Sequence, residues 1–403
     1  MQAQFPLVHK VLKQILLKNA MLYHWKGKAA DSPAIVLMAH SDVVPATGNW
    51  KHPSFGGEIA DGSVWGRGAM DNKGSLCAIF AAVEGLLADG FEPPCDIYLS
   101  SSYNEETMGD GAKNVVAYLQ QNNIELALAI DEGGAVVEKP LPGLNGSYAM
   151  LGIVEKGYAN VKFTAKSAGG HASTPPKNTP IARLADFVNE VEDHPPFASK
   201  FTQPVKQMFA ALAPYMTFPL RLVTGNLWLF APLLKVALPK ISAQAGALLR
   251  TTCAFTMAQG SSAPNVIPEE ASVTANLRFI MHQPMQQSLQ AIEQVAKKYN
   301  LAMDVEYAHD CSPFVDMETP HFKYLLECVK ANFPEVGVAP YIMLGGTDAR
   351  HFASYCPCTV RFAPTILTPQ QLASMHGLDE NLGVEALARA VDFYKSVLQN
   401  YQM

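Results

Sequence analysis

Charged side chains are scarce in this chain of 403 residues. Asp, Glu, Lys and Arg together make up 16% of it, and the acids outnumber the bases to give a net charge of −6. Without a basic excess there is no electrostatic reason to expect nucleic acid or an anionic membrane as a partner. Hydrophobic residues reach 49%, which is typical of a well-buried globular protein. We therefore expect a small molecule or a peptide as the substrate.

A disulfide framework and an export signal are also missing. The seven cysteines are an odd, scattered set, and their one close pair, Cys356-Pro-Cys358, has no second pair at structural-zinc spacing. We expect reduced thiols, with the close pair packed in the core. The N-terminus shows no charged start followed by an apolar run and a cleavage site. These features predict a cytoplasmic protein.

Long uninterrupted apolar runs are absent as well. The most apolar stretch, 208–234, contains Arg221 and several prolines, and it falls short of the ~18 apolar residues that a membrane span needs. We predict a buried or partner-covered helical insertion at about 200–250, without membrane contact. Internal repeats and low-complexity tracts are not found.

Helix and strand patterns alternate along the first 153 residues. A long ordered loop is expected at 43–67, helices at 5–22, 75–89 and 111–121, and strands at 35–39, 96–100 and 126–130. Acidic or imidazole side chains follow each strand. This order is typical of a parallel sheet that binds its ligand at the carboxyl ends of its strands.

The pattern changes near residue 154 and returns after residue 310. Alternating strands at 160–165, 272–279 and 303–307, with helices at 181–192 and 285–298, predict a smaller α+β unit. The earlier buried α/β style resumes at 341–344, 359–362 and 384–398. We predict an α/β fold whose mostly parallel catalytic domain is formed by 1–153 and 310–403, with an inserted lid domain at 154–309. The open face of the lid sheet is a candidate homodimer surface.

Two imidazoles and several carboxylates come from separate strand ends and loops: His40, Asp71, Glu106, Asp131 and His376. Glycines at 66, 68 and 74 surround Asp71 where a loop turns into a helix. Taken singly, a histidine after a strand is usually structural, and an acidic pair is usually a solvated turn. Taken together, carboxylate oxygens and imidazole nitrogens suit zinc, with cobalt or manganese as alternatives, and one bridging carboxylate would serve two ions.

Short motifs along nearly the whole chain, in order, resemble one enzyme family. They are HSDVVP at 40–45, WGRGAMDNKG at 65–74, NEE at 104–106, DEGG at 131–134, GGHAS at 169–173, NVIP at 265–268, NLR at 276–278, GGTD at 345–348 and MHG at 375–377. The chain resembles the co-catalytic zinc metallopeptidases, which include aminoacylase, acetylornithine deacetylase, succinyl-diaminopimelate desuccinylase and glutamate carboxypeptidase. Within that family it is most similar to the Gly-Xaa carboxypeptidases and N-fatty-acyl-amino-acid hydrolases. The resemblance implies a zinc-hydrolase catalytic domain with a ferredoxin-like lid and dimerisation domain.

The resemblance also implies a metal-ligand set. In it, His40 binds one zinc ion, Asp71 bridges both, Glu106 and His376 bind the other, and Asp131 completes the ligands of the first ion. Relatives differ in whether Asp or Glu serves at the last position, and Glu132 is adjacent. We choose Asp131 because it is the first acid after the strand. The family further implies a cis peptide bond between Asp71 and Asn72.

Catalytic roles follow in the same way. Glu105 neighbours a ligand without being one, so it is the expected general base that takes a proton from the activated water. Asp42 lies two residues beyond His40 on the same side of an extended segment, where it can accept the other imidazole N–H. A turn aspartate is the alternative for Asp42.

Substrate-binding residues are expected mainly in the lid. The resemblance implies that His171 reaches the active site of the partner subunit and stabilises the oxyanion. Arg278 and Asn265 would hold the substrate carboxylate, although a structural salt bridge is the alternative for Arg278. Gly345 and Gly346 could offer backbone N–H groups to an anion.

The resulting hypothesis is a dimeric enzyme that uses two zinc ions to cleave an amide or peptide bond next to a free carboxylate. The alternative within enzymes is an N-acyl-amino-acid deacylase with little peptidase activity. A catalytically silent binding protein is disfavoured because the residues expected to bind metal and to act as base are all present.

Overall fold

The computed structural model of the chain describes residues 1–29, 32–141 and 143–402. Its N-terminal part alternates short strands with helices on either side of a long loop. In chain order these elements are α1 (Pro6–Val11), β1 (Lys13–Leu17), β2 (Ala20–Trp25), β3 (Ala34–Met38), β4 (Glu58–Ala60), β5 (Ser63–Trp65), α2 (Lys73–Ala88), β6 (Ile97–Ser102), α3 (Gly111–Gln121), β7 (Leu126–Asp131), β8 (Val136–Glu138) and β9 (Ser147–Glu155).

The middle of the chain forms a second sheet and a run of helices. The strands of the second sheet are β10 (Tyr158–Lys166), β12 (Thr252–Gln259), β14 (Glu270–Arg278) and β15 (Ala302–His309), and α4 (Pro180–Asp193) and α9 (Met285–Lys298) lie beside it. Two further strands, β11 (Gly170–His171) and β13 (Val266–Ile267), form a separate ribbon. Between α4 and β12 lie α5 (Gln203–Leu212), α6 (Phe218–Gly225), α7 (Leu227–Ile241) and α8 (Ala243–Leu249). We call residues 203–249 the helical insertion.

The C-terminal part returns to the first sheet. Its elements are α10 (Pro320–Asn332), β16 (Gly337–Met343), α11 (Ala349–Phe352), β17 (Thr359–Arg361), β18 (Ile366–Leu367), α12 (Pro369–Ser374), β19 (Asn381–Gly383) and α13 (Val384–Gln399).

The large sheet has the strand order β1-β2-β6-β3-β7-β17-β9-β8-β18, with β16 also beside β9. Its centre, from β6 through β3 and β7 to β17, is parallel. Every residue of β3 and β7 is buried, because α2, α10 and α13 cover one face of the sheet and α3 and α11 the other. Strands buried on both faces read as continuous apolar runs, so the predicted α/β class is confirmed.

The second sheet is antiparallel, in the order β12-β14-β10-β15. Residues along β10 alternate between buried and half-exposed, and the buried side chains pack with α4 and α9 in a core of their own. One face of this sheet is therefore covered and the other is open. The strands and helices predicted for this region form close to their expected bounds.

The chain passes between the two sheets at two adjacent crossings. Gly157 and Phe279 exchange backbone hydrogen bonds of 3.1 and 3.0 Å, and Ser312 N donates to Glu155 O at 3.0 Å. The separate cores of the two sheets support the predicted boundaries near 154 and 310, which stay a prediction.

The helix predicted over residues 5–22 is wrong beyond Val11. The segment after α1 forms the β1–β2 hairpin, in which Leu17 pairs with Ala20 and Asn19 adopts a positive φ of 58° at the turn. Strand β2 then pairs antiparallel with β6. Pairing with the sheet overrides the helical spacing of the apolar residues, and Leu16 is left 71% exposed.

The helical insertion is only partly covered. Helix α5 buries Val205, Met208 and Leu212 in a cluster with side chains of β9 and β16, whereas α6 and α7 contain no buried residue. Among the described residues no single helix is long and apolar enough to cross a membrane. Helices α6 and α7 reach that length and composition only as a pair, which bends by 104°.

The cysteines are all unpaired thiols. Cys356 and Cys358 are 0% and 1% exposed, so the expectation that they pack in the core is confirmed. The sulfur atoms therefore contribute to packing rather than to cross-linking.

Candidate metal centre

The carboxyl ends of the central strands deliver the candidate ligands to one edge of the large sheet. His40 follows β3, Glu106 lies in the turn after β6, and Glu132 follows β7. Asp71 precedes α2 and His376 follows α12. Because parallel neighbours end at the same edge, residues far apart in the sequence meet there.

Asp71 lies between the two imidazoles. His40 Nε2 is 2.9 Å from Asp71 Oδ1, and His376 Nε2 is 2.9 Å from Asp71 Oδ2. Around this pair, Glu106 Oε2 lies 3.3 Å from His376 Nε2, and Glu132 Oε1 lies 3.1 Å from His40 Nε2. The arrangement has a shared carboxylate at its centre and one imidazole with one carboxylate on each side. The Asp71–Asn72 peptide bond is cis, as the family resemblance implies.

Asp131 does not join this group, and the choice between neighbouring acids needs correction. Asp131 is the last residue of β7, and its Oδ2 accepts a hydrogen bond of 2.7 Å from Ala349 N. Successive side chains of a strand point to opposite faces, so only one of two adjacent acids can face His40, and that acid is Glu132. The predicted strand ended at residue 130, whereas β7 ends at Asp131. With the observed end, the first acid after the strand is Glu132.

Asp42 lies next to the Nδ1 side of His40. His40 Nδ1 is 3.0 Å from the backbone oxygen of Asp42 and 3.4 Å from its Oδ1. The same carboxylate accepts hydrogen bonds from Glu105 N and Glu106 N, at 3.2 and 3.0 Å. Asp42 therefore holds the imidazole ring mainly through its backbone oxygen, and its carboxylate holds the turn that carries the two glutamates.

The charges of the cluster favour a bound cation. Burial, and then the nearby Asp71, raises the pKa of Glu132 well above its usual value, and burial with Asp348 raises the pKa of Asp131 to about 7. Glu106 Oε1 is buried and has no hydrogen-bond partner among the described residues. Buried carboxylates that lack partners are costly unless a cation compensates them. The oxygen and nitrogen donors therefore fit divalent metal ions of the zinc type.

Glu105 is buried at the rim of the ligand group. One ligand atom each from His40, Glu105 and Glu132 lies within 4.8 Å of the others, and Glu105 Oε1 is 3.8 Å from Arg350 Nη1. Burial, followed by the charge of Asp348, raises the pKa of Glu105 to about 9. A bound cation would favour its carboxylate form.

Glu380 is a residue that the sequence analysis missed. It is completely buried, and its carboxylate accepts hydrogen bonds from the backbone N–H groups of Gly68, Met70 and Asp71, at 2.9 to 3.1 Å. Arg67 Nη1 donates to it at 2.7 Å. Glu380 thus holds the loop that presents Asp71. No local sequence pattern indicates this role, because the partners are more than 300 residues apart.

The lid residues form a separate group. His171 pairs with Val266 in the two-stranded ribbon of β11 and β13, and Ala172 N donates to Asn265 O at 3.0 Å, so His171 and Asn265 are neighbours on an exposed ribbon. Arg278 lies at the end of β14, with its guanidinium 4.5 Å from the centre of the Tyr158 ring. Within the described part of the chain, no hydrogen bond or ion pair joins these residues to the metal-ligand cluster.

Gly345 and Gly346 precede a tightly held loop. Thr347 N and Oγ1 both donate to Glu155 at 3.0 Å, and Glu155 also pairs with the buried Arg361 at 3.3 Å. The two glycines are half-buried beside the crossing between the sheets. Their expected role toward an anion stays a prediction.

We predict that Glu380→Gln destabilises the protein and loosens the site. The amide cannot neutralise the buried Arg67, and breaking a buried ion pair from one side costs about 3–5 kcal/mol of unfolding free energy. Asp71 would lose its support, so bound metal should fall as well. Urea denaturation and metal analysis of the purified protein measure both effects.

The matched control is Glu385→Gln, an exposed acid in the first turn of α13. A surface change of this kind should shift the unfolding free energy by no more than about 0.5 kcal/mol. Equal stability of the two variants would contradict the role assigned to Glu380.

Comparison with known proteins points to one family. A model of peptidase family M20/M25/M40 matches residues 36–400. A probable carboxypeptidase S-like 2 of Dictyostelium discoideum is 34% identical over 403 residues, covering 98% of this chain and 77% of that protein. The N-fatty-acyl-amino acid synthase/hydrolase PM20D1 of Mus musculus is 33% identical over 404 residues, covering 98% and 80%.

Solved structures share the fold. An M20 family metallo-carboxypeptidase, Sso-CP2 from Sulfolobus solfataricus, aligns with a TM-score of 0.68 at 18% identity, covering 99% of this chain and 92% of that one. Human carnosine dipeptidase 1 aligns with a TM-score of 0.67 at 14% identity, covering 99% and 89%. With the family match and the cluster of metal-binding side chains, these relatives identify a metal-dependent hydrolase of peptide or amide bonds. This chain belongs to peptidase family M20/M25/M40, among relatives named as carboxypeptidase S-like proteins and N-fatty-acyl-amino acid hydrolases.

Proposed function

We propose that the chain is a carboxypeptidase or dipeptidase that releases an amino acid with a free carboxylate. The observation that carries this proposal is the position of Glu105, a buried carboxylate beside the candidate ligands His40 and Glu132. A general base must lie close to the activated water without being consumed as a ligand.

Two divalent ions, in our proposal zinc, would share the cluster. His40, Asp71 and Glu132 would hold one ion, and Asp71, Glu106 and His376 the other. Cobalt and manganese are alternatives with the same donor set. Bound ions of this kind polarise a carbonyl group and acidify water.

The protein side chains handle the protons. A carboxylate oxygen of Glu105 would accept a proton from the attacking water. Glu105 would then donate this proton to the leaving amine. Asp42 would keep the Nδ1 side of His40 hydrogen-bonded, so that Nε2 faces the ligand cluster, and it would hold the backbone of Glu105 in place. Arg350, 3.8 Å from Glu105 Oε1, would restrain the orientation of that carboxylate.

Arg278 is the proposed anchor for the substrate carboxylate. Its Nε donates to Asn276 Oδ1 at 3.1 Å, and burial lowers the pKa of its guanidinium. A guanidinium fixed at one nitrogen and stacked on an aromatic ring keeps donors free for a carboxylate. Asn265 and the Gly345–Gly346 backbone would complete the contacts with the substrate.

His171 is the proposed donor to the oxyanion, acting in the partner subunit of a homodimer. It is exposed on its ribbon, where Nδ1 lies 2.7 Å from Ser173 Oγ, so the other ring nitrogen is available. The open face and free edges of the lid sheet supply a surface for pairing.

An N-acyl-amino-acid deacylase is the second candidate. The naming of the mouse relative as an N-fatty-acyl-amino acid synthase/hydrolase favours it. Both substrate classes carry an amide next to a free carboxylate, so the same contacts serve either.

A cytoplasmic location is proposed because all the cysteines, including the exposed Cys77, are free thiols.

We predict that Glu105→Gln lowers kcat by about 10²- to 10⁴-fold, since the amide cannot accept a proton. Metal content should remain at the wild-type level, whereas Glu106→Gln, which removes a ligand, should reduce it. Steady-state kinetics and metal analysis distinguish the two variants. An unchanged rate in Glu105→Gln would rule out the proposed base.

The two substrate classes can be separated directly. We expect the wild-type enzyme to release the C-terminal amino acid from dipeptides with a higher kcat/KM than from N-acyl amino acids that share the same C-terminal residue. The matched pairs differ only in the acyl side, and amino-acid release is the common readout. A consistent preference for acyl amino acids would replace the peptidase assignment with the deacylase.

Complementation tests the role of His171 across the dimer. We predict that His171→Ala and Glu105→Gln are each inactive alone but recover roughly a quarter of wild-type activity when coexpressed. Random pairing gives half hybrids, and each hybrid holds one intact site. Failure to recover activity in hybrids verified by differential tagging would show that His171 acts in its own subunit or not at all.

A further inference from the structure

Helix α7 carries apolar side chains around most of its circumference and lies at the surface. On one side Leu227, Leu234 and Leu238 pack against the cluster shared with β9 and β16. On the other side are large side chains that nothing in the described part of the chain covers: Trp228 (81% exposed), Leu229 (56%), Leu233 (67%) and Val236 (61%). Apolar helix faces are normally buried or in contact with lipid.

Helix α6 extends the same surface. It exposes Phe218 by 76% and Leu222 by 49%, and Ile241, at the far end of α7, is 77% exposed. Exposed aromatic and aliphatic side chains concentrated in adjacent helices mark an interaction site rather than scattered surface residues. We call the exposed side chains of α6 and α7 the apolar ridge.

The charge around the ridge has one sign. Residues 194–268 contain no Asp or Glu, although the chain has 36 of them, while six Lys and Arg fall in this segment: Lys200, Lys206, Arg221, Lys235, Lys240 and Arg250. Three of the six, Arg221, Lys235 and Lys240, are on α6 and α7 themselves. The net charge of −6 for the whole chain conceals this basic segment.

We propose that the apolar ridge docks the enzyme on an anionic lipid surface, with α6 and α7 lying in the plane of the headgroups. Apolar side chains that include Trp and Phe, flanked by basic residues and free of acids, are the features of an interfacial helix. Lysine and arginine near the surface add attraction to anionic lipids.

The dimensions favour lying on the membrane over crossing it. Helix α7 has 15 residues, about 22 Å at 1.5 Å per residue, whereas the hydrocarbon core is about 30 Å thick. The bend of 104° between α6 and α7 also prevents the pair from forming one continuous span.

A second copy of the chain fits the ridge less well. A twofold contact would place the ridge of one subunit against that of the other, bringing Arg221, Lys235 and Lys240 of both copies together without an acid in the segment to pair with them. Like charges across an interface oppose association.

The segments on either side of the ridge are anchored on the catalytic sheet and at its junction with the lid. Helix α5 packs on β16 in the cluster described above, and the buried Lys156 donates from Nζ to Ala247 O and Arg250 O at 3.0 and 2.9 Å. Lys156 lies where the chain crosses between the sheets. Docking would therefore fix the orientation of the whole enzyme on the surface.

Vesicle cosedimentation of the purified metal-loaded protein tests the proposal. We expect binding to mixed phosphatidylcholine–phosphatidylserine vesicles and weak or no binding to phosphatidylcholine alone. Arg221→Gln/Lys235→Gln/Lys240→Gln should lower the partition coefficient by roughly a hundredfold, at about fivefold per basic residue. Trp228→Ser/Leu233→Ser/Val236→Ser should abolish binding. The control Leu16→Ser/Ile59→Ser alters residues that are each 71% exposed elsewhere on the surface, and it should bind like wild type.

Three outcomes would overturn the proposal. The first is no binding of the wild-type protein to anionic vesicles. The second is equal binding to neutral and anionic vesicles, with no loss in the glutamine variant. The third is a change of the serine variant from dimer to monomer, measured by light scattering, since the ridge would then be an interface between copies. Circular dichroism of each variant confirms that loss of binding does not arise from unfolding.

Discussion

The Asp71 carboxylate, shared between two imidazoles, is the contact on which the site depends. Its two oxygens each lie 2.9 Å from an Nε2 atom, and the further carboxylates of Glu106 and Glu132 approach the same imidazoles. Such a concentration of buried negative charge is unfavourable without cations. The sheet and the loops bring these imidazoles and carboxylates together, and a further set of hydrogen bonds behind them keeps them in place. Binding of metal would convert a destabilising cluster into a stabilising one.

The hydrogen bonds that support the candidate ligands come mostly from groups distant in the sequence. Glu380 holds the loop of Asp71, Asp42 holds the turn of Glu105 and Glu106, and the carboxylate of Asp131 accepts a hydrogen bond from Ala349 N. The last contact explains why one acid of a neighbouring pair can stay out of the ligand group. Asp131 holds the first residue of α11, and Glu132 is free to face His40. Because successive side chains at a strand end point to opposite faces, the two adjacent acids contact different parts of the protein.

The sequence was most informative where a residue's role depends on strand order, and least where it depends on distant pairing. Continuous apolar runs predicted β3 and β7, and the acids and the imidazole that follow the strands predicted the edge at which the site forms. The prediction of a helix over 5–22 was wrong because β2 pairs with β6, a contact that local spacing does not reveal. Glu380 was missed because its partners are far away along the chain, and Asp131 was preferred because the end of β7 was expected one residue too early. Family resemblance supplied roles for the lid residues that their exposed positions alone do not define.

The helical insertion shows why average composition is a poor guide to surface contacts. The net charge of −6 argued against an anionic membrane, yet the acids are absent from residues 194–268, where the exposed apolar side chains are concentrated. Electrostatic attraction to a surface acts over about a Debye length, ~10 Å at moderate salt, so the local segment decides it rather than the sum over the chain. Helix α5 of the insertion packs on β16 of the catalytic sheet. Strand β16 leads into the loop that contains Gly345 and Gly346. A contact made at α6 and α7 is therefore connected through packed elements to the edge of the sheet that carries the metal centre. An enzyme docked in this way would hold its active site at a fixed orientation to the lipid surface.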